Sequence, residues 1–377
     1  MPFREYRKLF PITTKKIYIN HASISPLSSK VTDMLERHIN ERMFGMIDVY
    51  PESVKIRDKA RELTAKLINA SAEEIAFTSN TSDGLNLLAN GVEWNKGDEI
   101  LLTDYEFPAN IYPFLNQQRK GVKIIYVPNR NGKIYIEDIL ERINNNTRLL
   151  SISFVEFGNG FKNDLESIGK ICRNRNIIFC VDAIQGLGAV PLDVKDFQID
   201  FLSNGGHKWL MGPMGVGIIY INKSLFDILT PAYTGWLSVN NAWDFYDYKL
   251  DLLPDAKRFE YGTANFMGIA GFSAAIELLL EIGIENIREH LLNMGRLLVE
   301  GLSAAGMEFG GANDKQYWSG IFSFKGRNLQ ALYSFLTEKD IICALRGDKI
   351  RFAPHFYNTK EEIEEVVGRV LDFYKNI

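Results

Sequence analysis

The feature that most narrows the fold is a rhythm running from residue 75 to residue 182. Short apolar runs at Ile75-Ala76-Phe77-Thr78 and at residues 99–103, 122–127 and 149–155 alternate with helical patterns at residues 85–91, 106–118, 137–143 and 165–174. The series ends in Ile177-Ile178-Phe179-Cys180-Val181, an unbroken apolar run of the kind used by a strand covered on both faces. Strands joined through helices run parallel, and the helices cover both faces of the sheet. The predicted class is therefore α/β. In such sheets ligands gather beyond the carboxyl ends of the strands, and Asp182 stands at one of those ends.

Composition removes several function classes. The 46% apolar and 24% charged content is that of an ordinary soluble domain, and 377 residues suffice for two cores. A net charge of −4 gives no electrostatic pull toward nucleic acid or an anionic membrane, and no apolar run approaches spanning length. The first sixteen residues carry Arg and Lys but no apolar core, so they do not read as a signal peptide. Cys172, Cys180 and Cys343 show no paired spacing, which suits a reducing compartment; a cytoplasmic protein is expected. The five histidines, His21, His38, His207, His290 and His355, lack metal-ligand spacing, so no metal site is expected. Neither Gly-x-Gly-x-x-Gly nor a Walker-type loop occurs, which leaves dinucleotide and ATP sites without support.

Three segments carry chemistry. Ser79-Asn80-Thr81-Ser82-Asp83-Gly84 follows a strand and opens a helix, so free backbone N–H groups and the helix dipole can converge on an anion. An ordinary N-cap needs fewer hydroxyl and amide groups than this turn offers. Asp182, followed by Ala183-Ile184-Gln185-Gly186, either caps a turn or holds a proton on a heteroaromatic nitrogen. In Ser203-Asn204-Gly205-Gly206-His207-Lys208-Trp209 a lysine sits in a small-residue turn; it is a snorkelling surface lysine or one tuned by desolvation for Schiff-base chemistry. Beyond residue 225 the texture changes. An aromatic loop at residues 233–251 precedes helical patterns at 269–282 and 284–304, then short strands at 321–324, 341–344 and 350–353, and a last helix at 360–376.

Taken in order, Thr78-Ser79-Asn80-Thr81-Ser82, Glu106-Phe107-Pro108, Val181-Asp182-Ala183-Ile184-Gln185, Gly206-His207-Lys208-Trp209, Gly262-Thr263 and Arg351 resemble the class V aminotransferase family of pyridoxal-phosphate enzymes. That group also holds cysteine desulfurases, isopenicillin N epimerase-like proteins and kynureninases. The resemblance covers nearly the whole chain. It implies the aspartate aminotransferase-like fold type I, with a large, mostly parallel seven-stranded sheet domain over residues 15–255. Residues 1–14 and 256–377 would form a smaller α/β domain. It implies pyridoxal 5'-phosphate as cofactor, Lys208 as Schiff-base lysine and proton mover, and Asp182 on the pyridine nitrogen. Gln185 would reach the phenolic oxygen, Asn80, Thr81, Ser82 and His207 the phosphate, and Phe107 would stack on the ring. Arg351 would clamp the substrate carboxylate, with the His21 loop lining the substrate side. Thr263 would come from the neighbouring subunit of a homodimer whose active site lies at the subunit interface, and the other partner would be a small amino acid.

Departures bear on the reaction. Phe107 stands where desulfurases usually carry histidine, Phe157 where they carry asparagine and Gly205 where they carry a phosphate-binding serine. The segment from Ile341 to Arg351 has no room for their cysteine-bearing loop, and Cys343 lies in an apolar strand. The expected activity is an aminotransferase acting on a small α-amino acid. The alternative is a lyase, desulfurase-like or epimerase-like enzyme, with Tyr233, Trp236, Arg346 and His355 as candidate pocket residues. A non-catalytic protein of this fold would have lost Lys208 or Asp182, and both are present.

Overall fold

The structure, a computed structural model, describes residues 3–376. After the short strand β1 (Ile17–Tyr18) come β2 (Ile75–Thr78), β3 (Glu99–Thr103), β4 (Lys123–Val127), β5 (Thr147–Ser153), β6 (Ile178–Asp182), β7 (Phe201–Gly205) and β8 (Gly217–Ile221). Strands β2 to β8 form one seven-stranded sheet in the order β2-β8-β7-β6-β5-β3-β4, and β8 alone runs against its neighbours. Every residue of β6, β7 and β8 is buried, as double-sided coverage requires. β8 is antiparallel to both neighbours and is not an edge: β2 pairs along its outer side.

Two expectations change in detail. The single helix expected over residues 106–118 is three short turns, Pro108–Asn110, Tyr112–Leu115 and Asn116–Lys120. Pro113 lacks an N–H and so is tolerated only in the first turn of a helix, which is where it sits in the second of these pieces; the run restarts there instead of continuing. The expected strand at residues 341–344 divides at Cys343. β11 (Ile341–Ile342) pairs with β1, whereas β12 (Ala344–Arg346) joins β13 (Lys349–Phe352), β10 (Phe322–Lys325) and β9 (Glu308–Phe309) in a second, antiparallel sheet. Each half of that apolar run therefore satisfies its backbone in a different sheet.

Phe3, Tyr6 and Phe10 pack on Phe356 and Tyr357, and Arg7 pairs with Glu362, so the N-terminus lies against the C-terminal third. The helix Phe266–Ile282 buries most of its length, with Phe272 meeting Phe77 edge to face in the core of the large sheet. Gly206 is small because a Cβ there would lie 2.8 Å from Phe272 Cδ2. We propose that the large unit extends through this helix to Gly283, whose φ of +86° turns the chain into the helix Ile284–Ala304. Among the described residues no single helix is long and apolar enough to cross a membrane.

Candidate active site

The carboxyl ends of β5, β6 and β7 lie in register, with Ser153 opposite Asp182 and Asp182 opposite Ser203. Above them is a cavity of about 420 Å³ lined by Asn80, Thr81, Ser82, Phe107, Asp182, Gln185, His207, Lys208 and Arg351, together with Ala22, Ser23, Ala109, Phe157, Ile184 and Arg346. Nine of the sequence-derived site residues thus converge on one space from five separate segments. His21 and Thr263 do not.

At one end the helix Thr81–Gly91 begins. Asn80 accepts the Asp83 N–H (2.9 Å) and Asp83 accepts the Ser79 N–H (3.0 Å), so this turn is ordered by its own side chains. Ser203 Oγ donates to the Thr81 carbonyl (2.9 Å), and Gly84 lets the helix sit directly on β7, since a Cβ would lie 2.3 Å from that hydroxyl. The Thr81 hydroxyl is buried without a polar partner, and a Cβ on Gly205 would crowd it at 3.2 Å. An unpartnered hydroxyl at a helix start is what a phosphate group would satisfy.

Across the floor, Asp182 Oδ1 accepts the Ile184 N–H (3.0 Å), and burial pushes its carboxyl up to about 6. Burial draws Lys208 down to about 8, against the opposing charge of Asp182, and its Nζ lies 5.7 Å from the Phe107 ring centroid. Gln185 spans two loops: its amide donates to the Ala22 carbonyl (3.0 Å) and accepts from the Trp209 indole (3.0 Å). Burial and then the Lys208 charge keep His207 below the ordinary histidine value.

Arg351 is buried on β13. Its Nη1 donates to the Phe157 carbonyl (2.7 Å) and its Nη2 to Ser23 Oγ (2.9 Å), while its Nε–H is enclosed without a partner. Burial and the nearby Arg346 lower it to about 10, so the pocket favours an anion. Arg346 donates to the same hydroxyl (3.2 Å), which itself donates to Asn20 Oδ1 (2.8 Å). Ser23 is a member of the site that the sequence did not single out; its only signal was its place in the polar loop after β1. Tyr233 and Trp236 are exposed and His355 is buried outside the cavity.

His21 corrects an expectation. Its ring is wholly buried, bonded through Nδ1 to the Ala353 carbonyl and through Nε2 to the Tyr357 hydroxyl, both at 2.8 Å, so it supports Ala22 and Ser23 from behind. Burial lowers His21 to about 3 and holds His355 well below 6.5. The folded state therefore prefers both rings neutral. Their contribution is complete above the unfolded histidine value near 6.5 and is lost as the pH falls through the folded values. The melting temperature should accordingly fall steeply from pH 6.5 toward pH 4, and His21→Gln should flatten that slope; an unchanged slope would remove His21 as a contributor. Thr263 lies beside Ser79 and Asp83 in a separate cavity.

These features suit pyridoxal 5'-phosphate: an anion-binding helix start, an aspartate beneath a ring-sized space, an aromatic wall and a desolvated lysine across from it. Together with the sheet order they define a fold type I pyridoxal-phosphate enzyme. The family Aminotransferase class-V matches residues 22–366. A probable cysteine desulfurase of Pyrococcus abyssi is 31% identical, with 99% of this chain and 98% of the relative covered. Among solved structures, the apo cysteine desulfurase from Thermococcus onnurineus superposes with a TM-score of 0.91 at 27% identity, covering 99% of this chain and 98% of its own. C-DES, a cystine C-S lyase also seen with its product cysteine persulfide, superposes at 0.90 and 25% identity in a form with glycine covalently linked to its PLP cofactor; 97% of this chain and 99% of that one are covered. The chain belongs to the class V aminotransferase family of pyridoxal-phosphate enzymes.

Proposed function

We propose that this enzyme acts on the α-amino group of an amino acid whose carboxylate Arg351 holds, and that its reaction is most simply transamination. The observation that carries this reading is the pairing in one cavity of a desolvated Lys208 with an Arg351 whose Nε–H is buried and unpartnered. The free Nε–H and the second hydrogen on Nη2 form a fork suited to a planar carboxylate. A carboxylate held there sets Cα at a fixed place relative to Lys208, whose amine takes a proton from that carbon and can return it to a neighbouring atom. Asp182 would hold a proton at the pyridine nitrogen, Phe107 would cover one face of the ring, and Asn80, Thr81, Ser82 and His207 would surround the phosphate. When bound, pyridoxal 5'-phosphate supplies the electron sink for the pair left at Cα.

A desulfurase that uses its own thiol as nucleophile is poorly served here. All three cysteines are buried, and burial pushes the Cys343 thiol up to about 12. A second reading, carbon–sulfur bond cleavage in which sulfur leaves on the product, needs no enzyme thiol. It draws specific support from Arg346, which shares Ser23 with Arg351 and offers a second cation to a substrate with two carboxylates, as cystine has. Incubating the enzyme with a panel of amino acids decides between them. Loss of the visible band, restored by a 2-oxo acid with release of a new amino acid, is the outcome expected for transamination. Sulfide or persulfide release from cysteine or cystine with pyruvate, and no amino transfer, would overturn it in favour of the lyase.

A homodimer belongs to this proposal. Phe44 and Met46 are about four-fifths exposed, Trp243 and Phe245 are exposed as well, with Trp243 against Tyr50, and Thr263 lies outside its own chain's main cavity. So many large exposed apolar side chains support an interface between copies, with each Thr263 delivered to the partner's phosphate. Sedimentation should give a dimer, and the double variant Phe44→Asp/Met46→Asp should give monomers with weakened cofactor retention; a fully active monomer at working concentration would contradict the proposal. The three unpaired thiols support a reducing compartment such as the cytoplasm.

A further inference from the structure

Two buried glutamates flank the cavity floor without lining it. Glu106 Oε1 accepts the Ser153 N–H (2.8 Å) and the Thr103 hydroxyl (3.2 Å), and its Oε2 accepts the Ser153 hydroxyl (2.6 Å). Glu156 reaches the same serine indirectly: Asn163 Nδ2 donates both to Glu156 Oε1 (2.7 Å) and to the Ser153 carbonyl (2.9 Å). The second oxygen of Glu156 is enclosed with no polar partner. Ser153 is the β5 residue opposite Asp182, and the next N–H, that of Phe154, donates to the Asp182 carbonyl (2.8 Å). Glu106 is also joined directly to Phe107. One side chain therefore ties together the turn that carries the stacking ring, the end of β5 and the aspartate at the end of β6.

The donors assign the charges. Glu106 receives three hydrogen bonds and is stabilised as a carboxylate; Glu156 receives one and keeps an empty oxygen, the pattern of a neutral acid. Burial raises both carboxyls, and in Glu156 the nearby Glu106 raises it further. The other titratable groups that feel this pair are Asp182 and Cys180 on β6 and Tyr105 beside Glu106, with Lys208 as the cation beyond Asp182.

We propose that Glu106 is a positioning residue that fixes Phe107 and Ser153 against Asp182 and, as a buried carboxylate, adds the negative charge that helps the Asp182 site keep a pyridine nitrogen protonated. The inference rests on the reading of Asp182 as the partner of that nitrogen. The test is a pH titration of the visible band of the holoenzyme, with kcat and KM, in Glu106→Gln, Glu156→Gln, Ser153→Ala and Asp182→Asn. Removing a negative charge lowers the pKa of neighbouring acids, so Glu106→Gln should move the titration midpoint to lower pH. It should also cut kcat roughly tenfold while leaving KM near the parent's. Glu156→Gln, an isostere of the neutral acid, should leave midpoint and kcat unchanged, and Ser153→Ala should shift the midpoint in the same direction by less. A parental midpoint and kcat in Glu106→Gln would overturn the inference, as would an equal shift in Glu156→Gln, which would place the charge on the wrong residue. If Glu106→Gln does not fold, a parental titration in Ser153→Ala overturns it instead. Asp182→Asn separates the two levels: if that variant behaves as the parent, the reading of Asp182 fails, whereas an altered Asp182→Asn beside a silent Glu106→Gln removes only the role of Glu106.

Discussion

Lys208→Ala is expected to bleach the enzyme and to lower turnover by on the order of a thousandfold or more, while a large fraction of the cofactor remains bound. The lysine lies in the turn after β7, where burial brings it down to about 8 even though the Asp182 charge works the other way. A lysine at its ordinary value would be almost wholly protonated at neutral pH and a poor nucleophile; one near 8 supplies a usable fraction of free amine. Among the described residues no second amine lines the cavity. Its other cations, Arg346 and Arg351, keep their protons and have no lone pair to share. The retained binding follows from the phosphate end, where the Thr81 hydroxyl and the helix start are untouched by the substitution. Lys349→Ala is the matching control, since that lysine contacts the Tyr105 hydroxyl (3.4 Å) outside the cavity lining and should leave colour and rate as they are. Absorbance spectra and pyridoxal phosphate content after gel filtration read the result. A yellow, active Lys208→Ala protein would refute the assignment.

Arg351→Lys should raise KM for amino acids on the order of 100-fold with cofactor content unchanged. The guanidinium is held from both sides, by the Phe157 carbonyl and by Ser23, so its planar edge cannot turn away from the cavity. A lysine ammonium has no fork, and it would leave either the Phe157 carbonyl or the incoming carboxylate without a donor. Removing the carboxylate from the substrate supplies the control. The parent should prefer an amino acid over the matching amine strongly, and the variant should prefer it little, because the interaction that separates the two has gone. An unchanged preference would mean that the carboxylate is held elsewhere, with Arg346 the next residue to examine.

How far the site could be read in advance depended on what each residue needed. Lys208, Asp182 and the Asn80–Ser82 turn stand at strand ends and a helix start, positions that the apolar rhythm locates, and their chemistry follows from residue type alone. His21 was different. Its loop is visible in the sequence, but whether an imidazole points into a cavity or away from it depends on Ala353 and Tyr357, more than three hundred residues further on. Ser23 joined the site for the same reason: its role is to meet two arginines on β12 and β13, and nothing near it in the chain announces them. The buried state of Glu156 was equally hidden, because a glutamate after a strand reads as a solvated turn until Asn163 meets it in the fold.

The α/β class, the alternation of strands and helices and the kinds of side chain available for cofactor chemistry were set by the sequence through local physics: strand and helix periodicity, helix-start chemistry and the glycines that admit close backbone approach. Tertiary structure alone decided that β8 would be flanked by β2, that the apolar run at Cys343 would divide between two sheets and that the helix Phe266–Ile282 would complete the large core. It also decided which polar groups would be left without partners in the cavity. Those outcomes depend on burial and on hydrogen bonds between residues far apart in the chain, and pairing of that kind has no periodicity for a sequence to display.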